Sequence, residues 1–212
     1  VYKRQILAIS VSLMSYTQTE QGTFILSAGS SFSNVTTTKD DTDPSYADNL
    51  ADESEGNLDI ELGGGYLITD GLMLGLSVLY DRDVIKYEGN SGYEDEQTTT
   101  NLSLAPGVRY YFGESGAYGG VSYLIGSINS VFESTGNEDE EVKGTQSGLI
   151  VSGGYSFFVN DIIAFTPQVT YSMLSTVQED GTYNLNTGYP EDLTIKTSGL
   201  GISFSINIHL SN

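Results

Sequence analysis

Leu58-Asp59-Ile60-Glu61-Leu62-Gly63-Gly64-Gly65-Tyr66-Leu67-Ile68-Thr69-Asp70-Gly71-Leu72-Met73-Leu74-Gly75-Leu76-Ser77-Val78-Leu79-Tyr80 decides the fold. Two runs alternate with period two, the signature of half-buried strands. Leu58, Ile60, Leu62, Gly64, Tyr66 and Ile68 share one face, with Asp59, Glu61, Gly63 and Gly65 between them. Leu72, Leu74, Leu76, Val78 and Tyr80 repeat the pattern against Gly75, Ser77 and Asp81. Thr69-Asp70-Gly71 reads as a three-residue turn pairing Ile68 with Leu72. Leu62 then faces Val78 and Ile60 faces Tyr80, so both apolar faces coincide.

Six further runs carry the same alternation: one on each of Phe24–Phe32, Leu102–Phe112, Leu149–Phe157, Ile163–Met173 and Leu200–Leu210, and a weaker one on Ala117–Ile125. Pro106 and Pro167 stand inside runs, which predicts bulges or irregular positions there. The turns Thr69-Asp70-Gly71, Gly113-Glu114-Ser115-Gly116 and Asn160-Asp161 are tight. The remaining connections, about residues 37–56, 88–98, 133–144 and 175–192, are long and hold 20 of the 28 acidic residues. Short turns at one end and long polar loops at the other is the asymmetry of outer-membrane barrels.

Alternation alone also fits a soluble sandwich with an apolar interior. The less apolar face decides against it. It carries Gly29, Gly63, Gly65, Gly75, Gly107, Gly120, Gly126, Gly154, Gly199 and Gly201. A water-facing exterior would carry Lys, Glu and Thr, whereas the narrow lumen of eight strands needs small residues. Tyr66, Tyr110, Phe112, Tyr155 and Phe157 near the short turns, with Tyr80, Tyr123 and Tyr171 farther up, mark two interfacial girdles. From Leu72 to Tyr80 a tilted strand rises roughly 20 Å, close to the ~25 Å apolar band of such barrels. The expected fold is all-β: an eight-stranded antiparallel up-and-down transmembrane β-barrel, monomeric, with both termini in the periplasm.

Composition narrows the chemistry. The chain has 212 residues, no cysteine, one histidine and a net charge of −20. Disulfides, thiolate zinc sites and cysteine nucleophiles are excluded. Nucleic acid would be repelled. No cofactor or metal site is implied. Lys3 and Arg4, the apolar run Ile6–Met14 and Ser15-Tyr16-Thr17 have the parts of a secretory signal. Residues 1–17 are therefore expected to be a signal peptide, with residues 18–212 as the barrel.

Three segments carry a resemblance. Gln18-Thr19-Glu20-Gln21-Gly22-Thr23-Phe24 resembles the mature start of small outer-membrane barrels. Ala105-Pro106-Gly107-Val108-Arg109-Tyr110-Tyr111-Phe112 resembles their fourth strand, and Pro167-Gln168-Val169-Thr170-Tyr171 echoes it. The chain is similar to the outer-membrane-protein β-barrel-domain family, which includes relatives of the small proteins X and W. Such barrels usually end on an aromatic, whereas this chain ends Ile208-His209-Leu210-Ser211-Asn212. The resemblance implies a Gram-negative outer membrane, contact with its lipid and lipopolysaccharide, and passage through periplasmic chaperones and the barrel-assembly machinery.

Few residues offer chemistry. Asp59, Glu61, Asp81 and Asp83 share the lumen parity of the second hairpin, with Asp59 opposite Asp81. Like charges that face each other need a cation, a proton or a base between them. Arg109, deeper on the same face, is one candidate partner. The cluster reads either as a cation-attracting mouth or as a lumen network that replaces water. Arg82, Lys86 and Lys196 fall on the lipid-facing parity above the outer girdle. They could snorkel or bind lipopolysaccharide phosphates. Asp41-Thr42-Asp43 and Glu138-Asp139-Glu140-Glu141 lack the calcium-loop pattern and read as solvated surface. His209-Leu210-Ser211 has the residue types of a lipase, but the last strand returns to the periplasmic end. His209 is expected there as a rim histidine.

The expected function is non-enzymatic: a structural or adhesive barrel presenting acidic loops to an unidentified surface ligand. The alternative is a narrow channel for small apolar or cationic solutes, as the resemblance to protein W implies.

Overall fold

Strict alternation lets each strand give one face to lipid and the other to the lumen, while neighbours satisfy every backbone group they meet. The computed structural model describes residues 19–39, 52–88, 94–134, 140–183 and 190–211. The signal peptide expected over residues 1–17 lies outside the described residues, as does Asp41-Thr42-Asp43.

The strands are β1 (Phe24–Lys39), β2 (Asp52–Thr69), β3 (Leu72–Glu88), β4 (Glu94–Tyr111), β5 (Ala117–Ser134), β6 (Glu140–Tyr155), β7 (Phe157–Phe158), β8 (Ile163–Tyr183) and β9 (Pro190–Leu210). Each pairs antiparallel with its neighbours, and β9 returns to β1 from Phe24↔Leu210 to Lys39↔Ile195. β6 also pairs with β8, so the order closes into a ring. β7 continues β6 along β8, which makes eight staves from nine strands.

Both prolines interrupt the ladder without shifting it. Pairing of β4 with β5 stops at Leu104↔Ile125 and resumes at Gly107↔Ser122 in the same register. Pairing of the sixth stave with β8 stops at Gly154↔Gln168 and resumes at Phe157↔Phe165. Each gap lies beside Pro106 or Pro167, which has no N–H to give. Of the bulges or irregular positions expected at the prolines, the structure forms the latter, as plain ladder gaps, and the second one divides β6 from β7.

Register shifts occur elsewhere, one in the β2–β3 hairpin and one between Gln178 and Thr182 of β8. Register in the β2–β3 hairpin shifts between Leu67 and Thr69, and Thr69 pairs with Leu72. The turn is Asp70-Gly71, with Gly71 at φ 78°, a conformation open to glycine. Ile68, expected opposite Leu72, is the residue left over. Above the bulge Leu62↔Val78 and Ile60↔Tyr80 pair as expected. The other turns also form: Phe112 N donates to Ala117 O at 2.8 Å, and Asn160 Oδ1 accepts the amides of Ile162 and Ile163.

The apolar face points outward. Leu62, Ile125, Leu200 and Ile206 are 56%, 56%, 61% and 57% exposed. Inward lie the glycines, serines and charges. The long connections are shorter than expected, because β1, β2, β4, β5, β6, β8 and β9 all run into them.

One joint is incomplete. Among the described residues, β1 pairs with β2 only from Phe24↔Tyr66 to Gly29↔Glu61. Above that, β1 stays on β9 and β2 stays on β3. The wall is unzipped between the first two strands toward the outer end.

Candidate functional site

The lumen has a closed lower end and an open upper one. At the periplasmic end Ile25, Leu67, Met73, Tyr111 and Tyr118 form a buried cluster. They take lumen parity, so large side chains there fill the bore instead of facing lipid. Tyr111 and Tyr118 pack ring to ring at 5.5 Å. Tyr118 Oη donates to Gln168 Oε1 at 2.8 Å, and Gln168 Nε2 donates to Ser203 Oγ at 2.7 Å.

Beneath and beside this cluster lies a polar layer. Asn207 Nδ2 donates to Thr166 Oγ1 at 2.8 Å, and Thr166 Oγ1 donates to Ser156 Oγ at 3.2 Å. His209 belongs here. It is only 2% exposed and meets Phe158 edge-on at 4.9 Å. His209 stands at the periplasmic end, as expected, but is buried there and not open at the rim. Its parity points it into the bore, where Phe158 and the neighbouring strands cover it. The chain before β1 crosses the same end: Gly71 N donates to Thr19 O, and Gln21 N to Asp70 Oδ1, at 2.8 and 2.9 Å.

Arg109 stands on this floor. Its Cζ lies 4.2 Å from the centre of the Tyr118 ring, and Nη1 donates to Tyr111 Oη at 3.4 Å. Above it opens a cavity of about 790 Å³. Asp59, Glu61, Asp81, Asp83 and Arg109 all line it. The structure therefore brings the five sequence-selected lumen charges around one space.

Within that space the acids find neutral donors. Asn101 Nδ2 donates to Asp81 Oδ1 at 3.0 Å, and Ser77 Oγ donates to Glu61 Oε1 at 2.8 Å. Asp59 does pair opposite Asp81. Among the described residues no group of three or more His, Asp or Glu is spaced to hold a metal ion.

The basic residues on the lipid-facing side do not form one cluster. Arg82 and Lys86 share β3, whereas Lys196 lies on β9, beyond β1 and β2. Lys86 is engaged: its Nζ lies 2.9 Å from Glu96 Oε2. The pair stands six residues beyond Tyr80 and Leu102, outside the apolar band. The hydrogen bond from Lys86 holds the Glu96 carboxyl below its ordinary value, helped by Thr98.

Sequence reasoning missed Tyr111, Tyr118 and Gln168. Tyr111 has the parity of Arg109, and that signal was available: an aromatic pointing into a glycine-walled bore can only plug it.

The chain matches the model of the outer membrane protein beta-barrel domain over residues 6–207. Comparison with curated proteins gives no match. Among solved structures, the outer membrane protein OprG from Pseudomonas aeruginosa is similar at 10% identity and TM-score 0.58, over 93% of this chain and 100% of that one. The outer membrane protein AlkL, solved in lipid bilayers, is similar at 17% identity and TM-score 0.51, over 91% and 92%. Such identities carry the fold and no more. A ring of staves with its leucines turned to hydrocarbon is what this family builds, and the chain belongs to the outer membrane protein beta-barrel domain family of the bacterial outer membrane.

Proposed function

We propose that the protein is a non-enzymatic outer-membrane scaffold, a barrel whose closed floor lets it anchor acidic surface loops without conducting ions along its axis. The supporting observation is the plug: Ile25, Leu67, Met73, Tyr111 and Tyr118 fill the bore below Arg109. Strands that extend beyond the outer girdle lift the loops clear of the membrane. A net charge of −20 keeps those loops hydrated and apart. Planar bilayers test the reading. The wild-type barrel gives no unitary conductance steps, and replacing residues 40–51 and 135–139 by short turns abolishes any surface adherence while leaving the barrel folded. Steady axial conductance by the wild type would overturn it.

A second reading rests on the unzipped joint. Small apolar solutes entering the cavity could leave sideways between β1 and β2 without crossing the floor. Because the chain has no cysteine, a Ser30→Cys/Ile60→Cys pair offers a clean closure, at the next register step above Gly29↔Glu61. Uptake of such a solute that falls on oxidation and returns on reduction would favour this reading. Unchanged uptake would remove it.

A further inference from the structure

Arg109 is a deep cation that no carboxylate among the described residues touches through a hydrogen bond or ion pair, with Glu61 on the same lumen face as the nearest acid acting on it. It is the one basic side chain lining the cavity, and among the described residues neither ion pair involves it. A guanidinium has five N–H donors in a fixed fork. One of them meets Tyr111 Oη, at a long 3.4 Å. The Tyr118 ring takes the guanidinium at 4.2 Å and offers no hydrogen-bond acceptor there. The remaining donors are left to the contents of the cavity.

The surroundings hold this cation ready. Tyr118 is fixed by Gln168, which is fixed by Ser203. A cation so supported loses little freedom when it binds a partner. The planar fork matches a carboxylate through two parallel bonds. Ser122, Ser152 and Ser203 line the same cavity and add hydroxyls for the solute's remaining polar atoms. About 790 Å³ lies within the usual ~300–1,000 Å³ range of small-molecule sites.

The upper wall has the opposite sign. Asp59, Glu61, Asp81 and Asp83 stand between the outer opening and Arg109. A simple anion is repelled on the way in, and a simple cation has no reason to reach the floor. A solute carrying both charges is steered and oriented, with its ammonium outward and its carboxylate inward. We propose that the lumen binds small zwitterionic solutes, with Arg109 as the receptor for the carboxylate and the Asp59–Glu61–Asp81–Asp83 wall as the selector for the ammonium. Binding of this kind needs no conductance, so it is independent of the scaffold reading.

The experiment uses the full barrel in lipid nanodiscs at low salt, with 6-aminohexanoate, hexanoate and hexylamine as matched probes. 6-Aminohexanoate binds at least tenfold more tightly than either single-charge probe, and Arg109→Gln lowers its affinity tenfold or more. Arg109→Lys keeps the charge without the fork and falls between. Asp81→Asn/Asp83→Asn leaves the floor intact and narrows the gap between hexanoate and 6-aminohexanoate, so the proposal stands or falls even if Arg109→Gln does not fold. Equal binding of the three probes, no binding to the folded wild type, or an unchanged preference in the Asp variants would overturn it.

Discussion

Arg109 stacks on Tyr118, and Tyr118 in turn holds Gln168, so one ring supports both the cation of the lumen and the floor beneath it. Removing that ring therefore does two things at once. Tyr118→Ala is expected to cost about 3–5 kcal/mol of stability, as for other large buried aromatics. It also opens the bore beside Tyr111. Bilayer recordings of the variant should show ion steps, cation-preferring because of the acidic wall, where the wild type is silent. A variant as silent as the parent would place the plug elsewhere.

Gly154 sits against the same ring. A Cβ built there would lie 2.6 Å from Tyr118 Oη and 2.7 Å from Pro167 O. Backbone on one side and a hydrogen-bonded phenol on the other leave no cheap movement. Gly154→Ala is expected to destabilise the barrel by about 1–3 kcal/mol. Equilibrium unfolding in liposomes measures it, and a neutral substitution would mean that Tyr118 is less tightly held.

The lipid face has its own scale. Leu76 lies midway along the apolar part of β3, and Leu58 lies near the outer end of β2. Leu76→Arg is expected to cost about 2–4 kcal/mol and Leu58→Arg about 0–1, following depth in the bilayer. The same unfolding measurement compares them. Equal costs would contradict the placement of the belt.

The Lys86–Glu96 pair predicts a pH response. Glu96 has a folded value below its unfolded one, so its contribution is present above the ordinary carboxylate range. That contribution fades as pH falls through the folded value. Lys86 is exposed and Glu96 partly so, and the effect on stability is small. Side-chain NMR is the sensitive readout: in Lys86→Met the Glu96 midpoint moves up toward the normal carboxylate value. A midpoint that stays put would assign the depression to other neighbours.

The outward face was legible because every stave repeats one simple rule, apolar residues out and small or polar ones mostly in. Turn ends were legible from Asp70-Gly71 and Asn160. Register above the first turn was legible too, since Leu62 and Val78 can meet on the apolar face in only one parity. The bulge at Ile68 was not, because a residue can be added near a turn without disturbing the faces above. Strand length was hidden for a related reason: beyond the membrane the chain has no need of apolar alternation, and polar sequence such as Glu94–Thr100 pairs as strand regardless. For the site, parity picked out Asp59, Glu61, Asp81, Asp83 and Arg109. It did not show that Arg109 would rest on Tyr118 of the next strand, because that diagonal contact, beside Tyr111↔Tyr118, depends on the rotamer the guanidinium takes.

The unzipped joint also says where this vessel is weakest. In the ring the terminal strands, β1 and β9, hold each other along the full length of β1, so the natural place for a cylinder to split is a fully zipped seam. Heat or tension would start instead at Gly29 and Glu61 and run downward toward Phe24, peeling β1 away together with β9 while the hairpin β2–β3 stays whole.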